Sequence, residues 1–320
     1  MEESKPVIKI KFTDFWPDFD LPNFMFYKLL LEKYNVIISD KPDLLFYSVY
    51  SNEHSKYKCT KIFFTAENVR PDFRECDYSF SFDFHSNKKN YRLPLYALYD
   101  DVNTLINKRV NAKEVLENKT KFCCFIVSNP VSTIRNNFYT DFTKYKHIDS
   151  GGELFNNLGG AVKNKREFVK DYKFVIAFEN ASYPGYVTEK IFEPFLENCI
   201  PIYWGNPLIG KDFNTRSFIN CHEYESFDDV IKHVLEVDND DEKYLQYLRE
   251  PAFTNNELNE YVKKENIVSR LDEIVTFHGT RTERVKKYQK LRPVYCSVKL
   301  QFRKVKKCLR AISNYKNANS

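Results

Sequence analysis

Apolar residues along the chain follow two patterns in turn, and the change from one to the other marks its elements. Short, nearly continuous apolar runs are typical of buried β-strands, and they occur at 7–16, 44–50, 61–68, 121–129, 172–180 and 200–205. Apolar residues three or four apart predict amphipathic α-helices, and these occur at 24–34, 131–145, 187–199, 226–238 and 258–279. Strands separated by helices favour parallel sheets covered on both faces.

The strand–helix pattern starts twice, at residue 7 and again at residue 121, on either side of a polar, helix-compatible stretch at 101–119. A chain of 320 residues is also long for one core. The predicted fold class is therefore α/β, with two Rossmann-like domains facing across a cleft and a C-terminal basic helical tail. We expect domains at 1–117 and 118–280 and a basic amphipathic tail at 281–320.

The tail combines an apolar stripe with a strong positive charge. Apolar residues recur in steps of three and four from Tyr288 to Ile312, and from Arg284 onward there are 12 Lys and Arg and no Asp or Glu. Because the whole chain carries +5, the remainder carries −7. Basic amphipathic helices bind anionic membrane surfaces. We therefore expect peripheral attachment to the inner membrane, although packing of the tail on the body and a tail-mediated homodimer stay open.

Composition narrows the class of protein. A hydrophobic content of 42% with 29% charged residues is typical of a soluble globular protein and excludes a disordered one. No stretch approaches a transmembrane span, and the N-terminal segment lacks the apolar core of a secretory signal. The eight cysteines show no CxxC and no metal-ligand spacing. These features predict reduced, structural cysteines and a cytoplasmic location.

The stretch FVIAFENASYPGYVTEK (174–190) holds most of the candidate chemistry. Asn180 follows the predicted strand, at the edge where open α/β sheets bind ligands. Thr188 can cap the next helix, whose first turn then contains Glu189 and Lys190. A helix N-terminus with a lysine suits a phosphate, Tyr186 can stack on a base or ribose, and Glu189 can accept sugar hydroxyls. The set fits a nucleotide-sugar, and the alternative is a capped surface helix with solvated charges.

Several separated blocks, in the same order, resemble one enzyme family. They are FFTAENVRPDF (63–73), FCCFIVSNP with Arg135, HIDSGGELFNNLGG (147–160), FVIAFENASYPGYVTEKIFEPFLENCIPIYWGNPLI (174–209) and KDFNTRSFIN (211–220). The chain is similar to the bacterial-type α-1,3-fucosyltransferases that build lipopolysaccharide Lewis antigens. The resemblance runs from about Phe63 to Asn220 and is looser on either side.

This resemblance implies a GT-B architecture, with acceptor in the N-terminal domain and GDP-fucose in the C-terminal one. It implies inverting transfer of L-fucose from GDP-β-L-fucose to the GlcNAc 3-hydroxyl of Galβ1-4GlcNAc-type glycan ends. By position, Glu67 matches the family's general base, and Arg135 and Lys190 match the cations that bind the diphosphate. Asn180, Tyr186 and Glu189 match donor contacts.

Elementary chemistry agrees with these roles. A carboxylate on the acceptor side can take the hydroxyl proton, while an arginine and a lysine can stabilise a departing diphosphate. Glu189 could also stabilise the oxocarbenium-like centre, which makes it a second catalytic candidate. The structural alternatives are a Glu67 that forms a salt bridge or a cap beside Arg70 and an Arg135 on a helix surface.

No acidic pair has the spacing of a metal site, so we expect no required metal or other cofactor, although Mn²⁺ or Mg²⁺ could stimulate activity. Two further hypotheses stay open. The first hypothesis is another GT-B transferase that uses a different nucleotide-sugar. A nucleic-acid-binding protein is the other, and it is disfavoured because the tail's aromatic residues follow the apolar stripe and form no stacking platform.

Overall fold

The structure is a computed structural model, and it describes residues 5–84 and 87–277. Its strands, numbered along the chain, are β1 Val7–Thr13, β2 Asn35–Ile38, β3 Leu44–Tyr47, β4 Thr60–Phe64, β5 Tyr78–Ser81, β6 Asn90–Arg92, β7 Lys121–Phe125, β8 Asp149–Ser150, β9 Tyr172–Phe178, β10 Ile200–Trp204 and β11 Ile219–Asn220. Its α-helices are α1 Met25–Lys33, α2 Ala112–Asn118, α3 Thr133–Phe142, α4 Lys165–Val169, α5 Glu189–Leu196, α6 Phe227–Asp238, α7 Asp241–Arg249 and α8 Lys264–Phe277.

These elements form two compact α/β units. Of the described residues, the first unit contains 5–65, 71–80 and 268–277, and the second contains 66–70, 81–84 and 87–267. One sheet has the strand order β2-β1-β3-β4-β5-β6 and the other has the order β11-β10-β9-β7-β8. Neighbouring strands pair in parallel from β2 to β5 in the first sheet and throughout the second sheet. The predicted fold class of two Rossmann-like α/β units is confirmed.

The first unit is built around aromatic side chains. Strands β3 and β4 are buried along their whole length, which explains their continuous apolar sequences. The ring of Phe12 stacks on that of Phe46 at a centroid distance of 4.8 Å, and the rings of Phe26 and Phe80 lie 4.6 Å apart. Rings of this size bury much apolar area each, so they supply most of this core.

A buried carboxylate organises the loop after β3. Asp14 follows β1 with a positive φ of 62° and is 6% exposed. Its carboxylate accepts hydrogen bonds from the backbone N–H groups of Glu53 and His54, at 2.8 and 3.0 Å, and lies 2.5 Å from Nδ1 of His54. Burial works to raise the pKa of Asp14, but these contacts outweigh it and hold that pKa below its ordinary value.

The second unit has its core between the β7–β9–β10 strands and helices α3, α6 and α7. The ring of Phe138 on α3 stacks on that of Phe178 at the end of β9, with centroids 4.5 Å apart. Helix α6 buries Val230, Val234 and Val237 on the side that its sequence period predicts. This packing fixes the carboxyl ends of β7, β9 and β10, where the candidate site lies.

The predicted elements are present with shorter ends. All six predicted strands are found, as β1, β3, β4, β7, β9 and β10, and all five predicted helices, as α1, α3, α5, α6 and α8. The polar stretch at 101–119 contains a 3-10 turn at Val102–Leu105 and helix α2. Short edge strands such as β8 and β11, with two residues each, were not predicted because two residues cannot display a period.

Contacts group the chain differently from the predicted domains at 1–117 and 118–280. Residues 81–84 and 87–117 lie in the second unit, where the backbone N–H of Leu95 donates to the carbonyl of Val187 at 2.9 Å. Residues 268–277 return to the first unit, where Asp272 on α8 forms a hydrogen bond with the hydroxyl of Tyr34. These contacts join residues far apart in the chain, and the spacing of apolar residues along the sequence does not predict them.

The predicted tail at 281–320 lies outside the described residues. Within residues 5–84 and 87–277, no helix has the length and apolar character that crossing a membrane requires. The six cysteines in this part of the chain are free thiols, and five of them are buried: Cys76, Cys123, Cys124, Cys199 and Cys221.

Candidate active site

Helix α5 starts at the carboxyl end of the second sheet, and its first turn is held by a buried carboxylate. Thr188 is the N-cap, with extended backbone angles and a hydroxyl that accepts from the N–H of Lys190. Glu179 directly follows β9 and is completely buried. It accepts hydrogen bonds from the backbone N–H of Thr188 at 2.7 Å and from its hydroxyl at 2.8 and 3.0 Å. The predicted cap at Thr188 is confirmed.

Glu179 can lie this deep because the residue opposite is glycine. A Cβ atom at Gly205, which follows β10, would lie 2.4 Å from Cγ of Glu179. The backbone N–H of Glu179 also donates to the carbonyl of Trp204 at 2.8 Å. Burial raises the pKa of Glu179 above its ordinary value, against the opposing effect of the Lys190 ammonium. The carboxylate is therefore a fixed structural acceptor and has no room to contact a ligand.

Lys190 lies between two carboxylates. Its Nζ is 3.3 Å from Oε2 of Glu179 and 3.5 Å from Oε1 of Glu189. The side chains of Lys190 and Glu189 are 24% and 20% exposed, so both remain accessible. Burial opposes both charges, yet Glu179 and then Glu189 raise the pKa of Lys190, and the Lys190 ammonium lowers the pKa of Glu189. Both groups are charged at neutral pH.

Arg135 is a buried cation in the first turn of α3, with 1% exposure. One Nη donates to Oδ1 of Asn180 at 2.7 Å and the other to the carbonyl of Asn129 at 2.6 Å. Within residues 5–84 and 87–277, it has no salt bridge to a carboxylate, and its buried Nε has no hydrogen-bond partner. Burial lowers the pKa of Arg135, and the charge of Glu179 opposes that only in part. The surface-helix alternative for Arg135 is therefore wrong.

Tyr186 and Glu67 belong to the same unit, and the charge of Glu67 acts on Tyr186. Tyr186 is 1% exposed, and its ring packs edge-on against Phe82 with centroids 4.8 Å apart. Burial raises the pKa of Tyr186 strongly, and the negative charges of Glu179 and Glu67 raise it further. A ring buried in this way has no face on which a base could stack, so the hydroxyl is the group left to contact a ligand.

Glu67 lies in a short segment that begins after β4 and is partly buried. Its neighbour Arg70 forms an ion pair with Asp83 and places its guanidinium 3.8 Å from the ring centre of Tyr183. These contacts attach the segment to the second unit, and no sequence pattern predicted them. The charges of Glu67, Glu189 and Arg135 all act on the pKa of Tyr186, and the charge of Arg135 acts on that of Lys190, so these candidates lie near one another.

A buried ion pair holds the loop before Tyr186, and sequence analysis missed it. Arg92 and Asp212 are 2% and 0% exposed in their side chains and lie 120 residues apart in the chain. Arg92 also donates to the carbonyl of Gly185 at 3.3 Å. Only the block KDFNTRSFIN, which contains Asp212, pointed toward this region.

No group of three or more His, Cys, Asp or Glu side chains in the described part of the chain could hold a metal ion. The polar groups of the site are the buried guanidinium of Arg135, the accessible ammonium of Lys190 and the N–H groups at the start of α3 and α5. The carboxylate of Glu189 lies beside the ammonium. This arrangement suits an anionic ligand with hydroxyl groups.

The sequence and this geometry together place the chain in an enzyme family. The chain belongs to glycosyltransferase family 10, the fucosyltransferases, because the model for the C-terminal part of that family matches residues 116–291. The model for the N-terminal domain of the α-(1,3)-fucosyltransferase FucT matches residues 10–99. The predicted resemblance is confirmed.

Individual relatives agree. The chain is 32% identical over 290 residues to alpha-(1,3)-fucosyltransferase FucT of Helicobacter pylori, which covers 78% of this chain and 61% of that protein. It is 30% identical over 189 residues to a putative fucosyltransferase of Acanthamoeba polyphaga mimivirus, covering 55% of this chain and 31% of that protein. The chain thus spans about three fifths and one third of these relatives.

A solved structure is similar along nearly its whole length. A crystal structure of an alpha1,3-fucosyltransferase with GDP-fucose matches with a TM-score of 0.74 and 28% identity, over 88% of this chain and 94% of that one. A second crystal structure of an alpha1,3-fucosyltransferase, with no ligand named, matches with a TM-score of 0.75. The fold of both units is therefore that of a known fucosyltransferase.

Proposed function

We propose that the protein is an inverting α-1,3-fucosyltransferase that uses GDP-β-L-fucose as its donor. The observation that carries the proposal is Arg135, a buried guanidinium with no carboxylate partner among the described residues. A buried charge without a counter-charge costs free energy, and an anionic ligand would compensate for it. Family membership and the likeness to an α1,3-fucosyltransferase solved with GDP-fucose support the choice of donor.

The leaving group in this reaction is GDP, whose diphosphate gains negative charge as the glycosidic bond breaks. Arg135 and Lys190, with the N–H groups that start α3 and α5, would stabilise that charge without a required metal ion. Asn180 would hold Arg135 and contact the donor, since its amide oxygen already accepts from the guanidinium. The hydroxyl of Tyr186 would contribute a polar contact.

Inversion requires the acceptor hydroxyl to attack as the diphosphate leaves, and a general base must take its proton. Glu67 is the proposed base. Glu189 is the proposed second catalytic carboxylate, because its lowered pKa keeps it negative near an oxocarbenium-like centre. The acceptor would be the GlcNAc 3-hydroxyl of Galβ1-4GlcNAc-type ends, as in lipopolysaccharide Lewis antigens. We propose that the enzyme acts in the cytoplasm, held at the inner membrane by its basic tail.

The donor proposal is tested by replacing Arg135 with lysine, which keeps the charge but loses the planar fork. We expect the affinity for GDP, measured by isothermal titration calorimetry, to fall at least about tenfold and kcat/KM with GDP-fucose to fall about 10²–10³-fold. The matched control is Arg166→Lys, whose side chain is 56% exposed and pairs with Glu197. An unchanged GDP affinity in a folded Arg135→Lys variant would contradict the proposal.

The role of Glu67 is tested by Glu67→Gln. We expect transfer of radiolabelled fucose to N-acetyllactosamine to fall about 10²–10⁴-fold, with GDP affinity changed by less than about twofold because a base on the acceptor side touches no phosphate. Glu75→Gln is the control, because Glu75 is a nearby carboxylate in the chain and is more deeply buried than Glu67. If Glu67→Gln weakened GDP binding as much as transfer, Glu67 would belong to donor binding.

A further inference from the structure

We propose that the buried ion pair of Arg92 with Asp212 is a positioning device that fixes the turn at Gly185 and thereby sets the affinity for the nucleotide donor. This inference rests on the proposed function for its donor part. It concerns residues outside the candidate catalytic set. Arg92 ends β6 and Asp212 lies between β10 and β11, so neither belongs to the loop that they hold.

The pair has a two-pronged geometry. One Nη of Arg92 donates to Oδ1 of Asp212 at 2.8 Å, and the other donates to Oδ2 at 2.6 Å. This second nitrogen also donates to the carbonyl oxygen of Gly185 at 3.3 Å. Since a guanidinium is planar and rigid, the bidentate contact with Asp212 fixes the direction in which Arg92 meets that carbonyl.

Asp212 is itself held from two more directions. Its Oδ1 accepts from the hydroxyl of Tyr96 at 3.0 Å and from the side-chain amide of Asn259 at 2.7 Å. The ring of Phe84 covers the guanidinium of Arg92, with its centre 4.1 Å from Cζ. Arg92 and Asp212 are therefore each held by groups outside the loop, so the pair keeps its position independently of the loop that it contacts.

The other polar group of Gly185 is held as well. Its backbone N–H donates to Oδ1 of Asn206 at 2.8 Å. Gly185 has a φ of +94°, and a Cβ there would lie 2.1 Å from the carbonyl oxygen of Phe82. The turn thus touches backbone on one side and is hydrogen-bonded through both its N–H and its carbonyl, so it has one position.

The position of this turn matters because the next residues of the chain belong to the candidate site. Tyr186 is adjacent to Gly185, and Thr188 and Lys190 form the cap and first turn of α5. Glu179 holds this helix start from the sheet side through its hydrogen bonds with Thr188, so the segment between Gly185 and Lys190 is fixed at both ends. A buried ion pair is seldom the most stable way to fill a core. Its use here is explained by the direction that it imposes on the Gly185 carbonyl.

A purely structural role and a positioning role predict different results. If the pair only stabilises the core, its loss lowers the unfolding midpoint and leaves the donor affinity of the folded protein unchanged. If it positions the turn, a folded variant exchanges the amide hydrogens of 183–188 faster and binds the nucleotide more weakly. Asp238→Asn is the control, because Asp238 is buried, pairs with Lys146 and Lys173, and lies at the end of α6.

The test uses the full chain with Arg92→Lys, which keeps the charge and loses the fork, and with Asn206→Leu, which removes the acceptor for the Gly185 N–H without adding a charge. If Arg92→Lys does not fold, Asn206→Leu alone tests the inference. For each, hydrogen–deuterium exchange of the 183–188 peptide, calorimetric GDP affinity, and KM and kcat with GDP-fucose are measured beside the unfolding midpoint. We expect at least about tenfold faster exchange and at least about tenfold weaker GDP binding, with kcat less affected than KM.

Unchanged exchange in 183–188, or faster exchange with GDP affinity equal to that of the wild type, would overturn the inference. So would an Asp238→Asn variant that loses GDP affinity to the same extent. A wild-type protein that binds no GDP would instead refute the proposed function and with it the donor part, and the exchange of the 183–188 peptide would still decide whether the pair fixes the turn.

Discussion

Replacement of Glu179 gives the sharpest test of how the first turn of α5 is held. In Glu179→Ala the backbone N–H of Thr188, a residue 2% exposed, loses its acceptor at 2.7 Å, and Lys190 loses its closer carboxylate. An unsatisfied buried donor costs about 1–3 kcal/mol, and Glu179→Ala leaves two of them, the N–H and the hydroxyl of Thr188, while Lys190 keeps Glu189 at 3.5 Å. We expect the free energy of unfolding to fall by about 4 kcal/mol. For a unit of this size the midpoint then falls by about 8–16 °C.

Glu179→Gln separates shape from charge. The amide oxygen can still accept from Thr188, and Lys190 keeps Glu189 at 3.5 Å, so we expect a loss of less than about 1.5 kcal/mol. Because folding raises the pKa of Glu179, the wild type loses stability as the pH rises through that pKa, starting near about 4.3. The glutamine variant has no such titration, so its stability deficit relative to the wild type should shrink as the pH rises above about 4.3.

The measurement is urea unfolding and differential scanning calorimetry at several pH values. The control is Glu197→Ala at the other end of α5, where the carboxylate pairs with an Arg166 that is 56% exposed, so that the expected loss is only about 0–1 kcal/mol. A loss below about 1 kcal/mol in Glu179→Ala, or equal losses in the alanine and glutamine variants, would refute the reasoning.

Three further substitutions test other parts of the structure. Gly185→Ala must place a Cβ against a backbone carbonyl at a positive φ, so we expect at least about 2 kcal/mol of destabilisation; a stability equal to that of the wild type in calorimetry would show that the turn has another conformation. Asp14→Asn should cost about 2–3 kcal/mol at pH 7. Because folding lowers the pKa of Asp14, this cost should start to shrink as the pH falls below about 3.9 and vanish below the lowered pKa of the folded state; a pH-independent difference in urea unfolding would count against it. Lys119→Met leaves two partly buried carbonyls at helix ends without their ammonium donor, and should lower stability by about 1–3 kcal/mol; a midpoint within about 1 °C of the wild type would be inconsistent with those contacts.

The sequence predicted those parts of the fold that depend on the spacing of apolar residues within one segment. Strand β9 and helix α5, with Thr188 as cap, follow from one apolar run and one capping residue. What it could not predict are contacts between side chains far apart in the chain. Arg92 and Asp212 lie 120 residues apart, and neither stands out in its own segment.

The candidate site shows the same division. Residue types and the family blocks indicated Arg135, Asn180 and Lys190, but the burial of Arg135 was not predictable, because α3 has only a weakly amphipathic sequence of ten residues. The burial of Tyr186 was missed for a related reason. It depends on Phe82, which packs against its ring from another part of the chain.

The path of the chain between the two units has a consequence for how the protein is made. Helix α8 completes the first unit, where it buries Leu271, Ile274 and Val275, although the rest of that unit ends at residue 80. The ribosome therefore delivers nearly two hundred residues, enough for the second unit to fold, before the N-terminal unit receives its last piece. Fragments that stop before Val268 would expose an unfilled hydrophobic surface on the part synthesised first. The N-terminal unit then becomes stable only after helix α8 has been synthesised, long after its own strands.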